Sequence, residues 1–187
     1  MLSDDRINLL AKVARTPHGT YSGTAGERSI LTLAAASYGS RPTDEATVPT
    51  GFDPFAAALF ESIVEGAYLV ATADGVFDEE ERRTFERIVT AACGGMVPQR
   101  LVGDLVSDLS DQLEEDGLDR RIQRLAEGVA KKEQAVEVLR IAALIASVSD
   151  DVSAIERDVL TRLATAFGLE PSAVDGALED VKKSLVA

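Results

Sequence analysis

Residues 67–92, AYLVATADGVFDEEERRTFERIVTAA, read as two helices joined by a tight turn. Small and apolar side chains fill the first part. Ala-Asp-Gly at 73–75 then breaks it, and an acidic turn beginning at Asp78 precedes apolar residues at helical spacing, Phe85 and Ile88. The same pattern returns 75 positions later as AALIASVSDDVSAIERDVLTRLATAF, residues 142–167. Identities fall at Ala67/Ala142, Ala71/Ala146, Glu81/Glu156, Arg82/Arg157, Arg87/Arg162 and Ala91/Ala166. Apolar positions match at Leu69/Leu144, Val70/Ile145, Phe77/Val152, Phe85/Leu160 and Ile88/Leu163, as expected of one packing unit used twice.

Outward from this pair the chain keeps helical spacing, and nowhere does it alternate with period two for long enough to argue a sheet. The expected class is all-α, a compact antiparallel bundle. Helices are expected at about 54–73, 78–93, 98–115, 118–130, 132–148, 153–167 and 171–185, with Pro98 and Pro171 in first turns and Gly94 and Gly168 at C-terminal caps. Such short connections imply antiparallel neighbours. Ahead of them, Ser3 can cap a helix reaching Arg15, TPHGTYSGTAGE breaks it, and a short helix is expected from Glu27 to Ser37. GSRPTDEATVPTG, residues 39–51, reads as a linker, which divides the chain into an arm and linker, 1–52, and a helical domain, 53–187. The arm's apolar face, Ile7, Leu10, Ala11 and Ala14, needs either the main domain or a second copy of the chain to cover it, so self-association is among the expectations.

The 187 residues carry a net charge of −13 and are 45% hydrophobic, enough to bury a core. Residues 1–52 hold equal numbers of basic and acidic side chains, so the whole excess of acid lies beyond them. That sign repels phosphate backbones, argues against nucleic acid and favours cations or a basic protein surface. One Cys and one His exclude a disulfide framework and a Cys/His zinc cage. The acidic N-terminus does not read as a signal peptide, the longest apolar run, around Ile141–Val148, is too short for a span, and a cytoplasmic location with no membrane crossing is expected.

Asp74, Asp78 and Glu81 invite comparison with a calcium loop. With Gly75 at the sixth position of an EF-hand loop they would stand at the fifth, ninth and twelfth, but the first falls on Val70, which has no side-chain oxygen. A full EF-hand is therefore excluded. A capping box explains Asp78 and Glu81 without a ligand, and Ser153 and Glu156 repeat it. Asp74-Gly75 suits a left-handed turn.

These residues carry a resemblance. ATADGVFDEEER resembles the first helical hairpin of the tellurite-resistance TerB family, and LIASVSDDVSAIERDVLTRLATAFGL its second, over about residues 55–185. The resemblance implies about seven bundled helices, no catalytic activity, a role in metal-linked stress or membrane-associated complexes, and acidic metal ligands at the helix junctions. Carried onto this chain, those are Asp74, Asp78 and Glu81, with Asp150 and Glu156 from the second hairpin. The chain departs from the pattern at Ser149, Asp150 and Ser153, which stand in register with Asp74, Gly75 and Asp78.

A second acidic feature lies in 98–115, where Asp104, Asp108, Asp111 and Glu115 fall within about 60° of one another around a helix, away from Leu101, Leu105 and Leu109. This is a solvated face or a docking face for a basic partner. No nucleophile elbow, phosphate loop or dinucleotide fingerprint occurs. His18 reads as a loop residue, and Cys93, at a helix C-terminus, as packing. The expectation is a non-catalytic interaction module acting through its acidic surface in a stress-response or surface-assembly complex, with no certain cofactor. The alternative is a divalent-cation protein using the Asp74–Glu81 junction for Ca²⁺, Mg²⁺, Mn²⁺ or Zn²⁺.

Overall fold

The computed structural model describes residues 2–17, 29–42, 51–75, 77–149 and 151–186. Among them are nine helices and no strand: α1 (Asp4–Arg15), α2 (Ile30–Gly39), α3 (Pro54–Ala71), α4 (Glu79–Ala92), α5 (Gln99–Asp116), α6 (Leu118–Gly128), α7 (Lys132–Ala146), α8 (Ala154–Ala166) and α9 (Ala173–Val186). The starts follow from local chemistry. Ser3, Ser29 and Asp53 each accept a hydrogen bond from a backbone N–H of the first turn they precede, and Pro54 occupies a first position where no N–H is needed. Both capping boxes form as their spacing predicts.

Two helix starts differ by two residues or more from the sequence reading. The second helix begins at Ile30, where the Ser29 hydroxyl takes the N–H of Thr32; Glu27, its expected start, lies outside the described residues. Pro171 lies in a turn closed by Ala173 N–H donating to Glu170 O, so α9 starts after it.

At the centre α3 packs on α7, with α2 and α6 also against α3 and α9 against α7. Phe60, Ile63, Leu69, Val70, Leu139 and Leu144 are almost wholly buried there. Each such side chain contributes about 1.5–3 kcal/mol on burial. The close approach of α3 and α7 depends on Gly66, where a Cβ would stand 2.6 Å from Val138 Cγ1. By length and composition α3 is apolar enough to cross a membrane, a property the sequence reading did not assign to any segment. In this fold it is the core helix, with 56% of its span buried.

Helices α1 and α2 share that core. Ile7, Leu10, Val13 and Ala14 bury the apolar face of α1, chiefly against α4, and α2 lies on α3. Arg140 on α7 fixes the end of α1, donating to Val13 O at 3.0 Å and Ala14 O at 2.7 Å. A helix leaves its last carbonyls short of intrahelical donors; Arg140 serves Ala14 O and adds to the Thr16 N–H already on Val13 O.

Candidate functional site

The two hairpins, α3–α4 and α7–α8, repeat at the level of backbone and caps. Thr72 and Ser147 cap the first helix of each, and each hydroxyl donates to the carbonyl four residues back, on Tyr68 and Ala143. Asp78 Oδ1 then accepts from the N–H of Glu80 and Glu81 at 2.8 and 2.9 Å, while Glu81 Oε2 accepts from Asp78 N–H at 2.9 Å. In the second hairpin Ser153 Oγ accepts from Glu156 N–H at 3.2 Å and Glu156 Oε2 from Ser153 N–H at 2.8 Å. Gly94 and Gly168 follow the second helices at φ 59° and 66°, where a left-handed residue closes the helix end.

The arginines shared by both copies tie the second helix of each hairpin outward. Arg82 donates to Ser107 Oγ on α5 at 2.7 Å, and Arg157 pairs with Asp175 on α9. Arg87 reaches Asp4 on α1, and Arg162 reaches Asp119 on α6. The repeated unit is thus a hairpin with anchoring points for its neighbours.

Both junctions open on one pocket of about 310 Å³. Phe77, Phe85, Ile88, Ile145 and Val148 supply its apolar lining, and Asp78, Glu80, Glu81 and Glu156 its charge. Tyr68 packs edge-on against Phe77 and Phe85, with ring centroids 5.3 and 6.1 Å apart, which fixes the aromatic part of the wall. No Lys or Arg occurs among the described lining residues. The acidic wall follows from the capping chemistry, since first-turn carboxylates satisfy the helix N-termini of α4 and α8.

The proposed metal ligands divide accordingly. Asp78, Glu81 and Glu156 come together at this pocket. Asp74 lies on the exposed turn before Gly75, whose φ of 78° is the left-handed conformation expected there, and is not among the lining residues. Asp150 and His18 fall outside the described residues. Among the described residues no group of three or more His, Cys, Asp or Glu side chains is arranged to hold an ion, and Asp78, Glu81 and Glu156 each commit one oxygen to a backbone N–H. On α5, Asp104, Asp108, Asp111 and Glu115 are exposed, opposite the buried Val102, Leu105, Val106 and Leu109. Arg100 approaches Asp104 at 3.8 Å.

Sequence reasoning missed two buried ion pairs. Glu65 on α3 takes a 2.7 Å hydrogen bond from Arg121 on α6, which also reaches Asp116 at 3.1 Å. Burial raises the Glu65 carboxyl above its ordinary range against the opposing pull of Arg121, whereas the Arg121 hydrogen bond lowers Asp116. Glu137 and Arg140, both buried on α7, form a bidentate pair at 2.8 and 3.0 Å. The available signal was Glu65 within the otherwise apolar stretch 63–71, and Glu137 with Arg140 within 135–146. Cys93 is fully buried, and burial pushes its thiol up to about 12, which agrees with a packing role.

A helical hairpin used twice, with its two acidic junctions meeting at an apolar pocket, defines an all-α module of duplicated architecture. The chain belongs to the TerB family: the family model described as Tellurite resistance protein TerB matches residues 63–179. The matched span takes in the second half of α3, all of α4–α8 and part of α9, including both junctions. No significant match was found among curated proteins or among solved structures.

Proposed function

We propose that this chain is a non-catalytic interaction module, acting in a stress-response or surface-assembly complex, that docks a basic protein segment on its acidic surface. One observation carries the reading: the two copies of the hairpin junction line a single pocket with an apolar interior and four carboxylates, Asp78, Glu80, Glu81 and Glu156. An amphipathic segment offers the complement, seating an aliphatic or aromatic side chain against Phe77, Phe85 and Ile145 while flanking Lys or Arg residues meet the carboxylates. The exposed stripe Asp104, Asp108, Asp111 and Glu115 supplies steering, since it offers charge without an apolar seat. A cytoplasmic location is part of the same reading.

The test is fluorescence anisotropy with a labelled helical peptide carrying leucines at positions i, i+4 and i+7 and lysines elsewhere. Micromolar binding is expected, weakened about tenfold by Glu80→Lys and about twofold by Asp108→Lys, the smaller effect reflecting long-range attraction alone. Equal weakening by both variants would reduce the pocket to one part of a diffuse acidic field and overturn the reading.

A second reading has its own observation. Asp78, Glu81 and Glu156, three of the expected ligands, share this pocket, so a divalent cation could bind where one of them leaves its cap bond. Calorimetric titration of chelator-treated protein with Ca²⁺, Mg²⁺, Mn²⁺ and Zn²⁺ tests it. Binding abolished by Glu81→Gln and indifferent to Asp74→Asn supports a cation at the pocket, whereas absence of binding heat removes it.

A further inference from the structure

A second pocket, of about 440 Å³, lies beside the first and has the opposite charge. Arg6, Arg157 and Lys182 line it with a single described carboxylate, Asp151, and with apolar Leu178 and Leu185. Arg157 is tied to Asp175, whereas Arg6 and Lys182 have no ion pair among the described residues. In a chain of net charge −13 such a concentration of positive charge calls for a reason.

The two pockets are neighbours across one ridge, because three segments each send residues to both. At the start of α1, Leu2 lines the acidic pocket and Arg6, one turn on, the basic one. In the α7–α8 turn, Val148 and Ser149 face the first pocket while Ser147 and Val152 face the second. In the first turn of α8 the consecutive residues Glu156 and Arg157 divide in the same way.

We propose that the occupant of the acidic pocket is a second copy of this chain, bound about a twofold axis at the α7–α8 turn. Two complementary patches placed side by side form a self-complementary surface, since a twofold operation lays the acidic pocket of each copy on the basic pocket of the other. The contact is made twice, and it buries apolar surface at both places: Leu2 and Phe77 in one pocket, and Leu178, Leu185 and the 84% exposed Val186 in the other. The overall repulsion between two acidic chains is screened beyond about 8 Å at physiological salt, so the facing charges decide the outcome. This inference rests on reading the acidic pocket as a docking site and names its partner. The segment Leu2–Arg6 gains a role from it, as it contributes to both halves of the surface.

Sedimentation equilibrium of the full chain at physiological salt tests the proposal with two charge reversals. Arg6→Glu places a carboxylate three residues after Ser3, where it would complete a capping box, and so leaves the fold intact. Glu80→Lys changes a residue outside the capping box of α4, and unchanged thermal midpoints check the fold of both variants. The wild type is expected to dimerise with Kd of about 10 µM, and each variant alone to weaken self-association at least about tenfold, because like charges then face each other at both contacts. An equimolar mixture of the two variants is expected to recover the wild-type affinity to within about threefold, since one contact of the heterodimer is unaltered and the other pairs the two reversed charges. A wild type monomeric throughout the micromolar range, a dimer indifferent to both variants, or a mixture no tighter than its parts would each overturn the proposal. Peptide binding measured on the same wild-type sample separates the failures: with it intact only the dimer falls, and with it absent the docking reading falls as well.

Discussion

Replacing Arg140 by Met removes the charged group that holds α1 to α7. Arg140 is only 5% exposed and Glu137 only 2% exposed, so the change strands a carboxylate with no access to water. Breaking one side of a buried pair costs about 3–5 kcal/mol. The carbonyl of Ala14 loses its donor at the same time, at about 1 kcal/mol if water does not replace it, whereas Val13 O keeps the N–H of Thr16. The combined loss is about 5 kcal/mol, within the roughly 5–15 kcal/mol that a domain has in total. In a chain of this length it corresponds to a fall in thermal midpoint of about 10–20 °C. Urea titration followed by far-ultraviolet circular dichroism measures the loss, and hydrogen exchange of the α1 amides shows whether that helix opens first. The double variant Glu137→Gln, Arg140→Met should recover about 2 kcal/mol or more, because the amide is neutral while the Ala14 carbonyl stays unserved. A loss below about 1.5 kcal/mol for Arg140→Met, or a double variant as unstable as the single, would show that the pair does not carry this weight.

Gly66→Ala puts a methyl group 2.6 Å from Val138 Cγ1 at the contact of α3 with α7, so a loss of about 1–3 kcal/mol is expected, partly recovered by Val138→Ala; a neutral effect in urea titration would contradict the close approach. The raised Glu65 carboxyl makes folding take up a proton between the ordinary glutamate range near 4.3 and its folded value, so its contribution to stability falls as pH rises through that window. Carbon-detected NMR titration should place the Glu65 midpoint above that range, and Arg121→Met should raise it further by removing the opposing hydrogen bond; a downward move would reverse the assignment of causes. Cys93 should resist thiol reagents at pH 8 until the protein unfolds, since burial holds its thiol near 12, and modification at the rate of an open thiol would contradict its burial.

Most of the fold was legible because its punctuation is local. Ser3, Asp78 and Ser153 cap where their side chains can reach backbone N–H groups, and Gly94 and Gly168 end helices where a left-handed residue is needed. The repeat announced the hairpins through Glu81/Glu156 and Arg82/Arg157. The arrangement of the site was not legible, since alignment of two segments says nothing about the distance between them. Asp74 drew attention as part of Ala-Asp-Gly, yet it sits on the exposed turn, while Glu80, read only as a first-turn acid, faces the pocket. Glu65 and Arg140 were passed over in the sequence, because their partners Arg121 and the carbonyls of α1 are distant along the chain and could be assigned only in three dimensions.

The central claim is that the two hairpin junctions form one docking site. Backbone amide spectra of isotopically labelled Arg6→Glu protein, in which self-association is weakened, recorded during titration with the leucine–lysine helical peptide, test it most directly. The account predicts shift changes confined to the pocket residues, 2, 71, 77–88 and 145–156, saturating together with one affinity. Changes centred on 99–116, or spread over every acidic face without saturation, would contradict it.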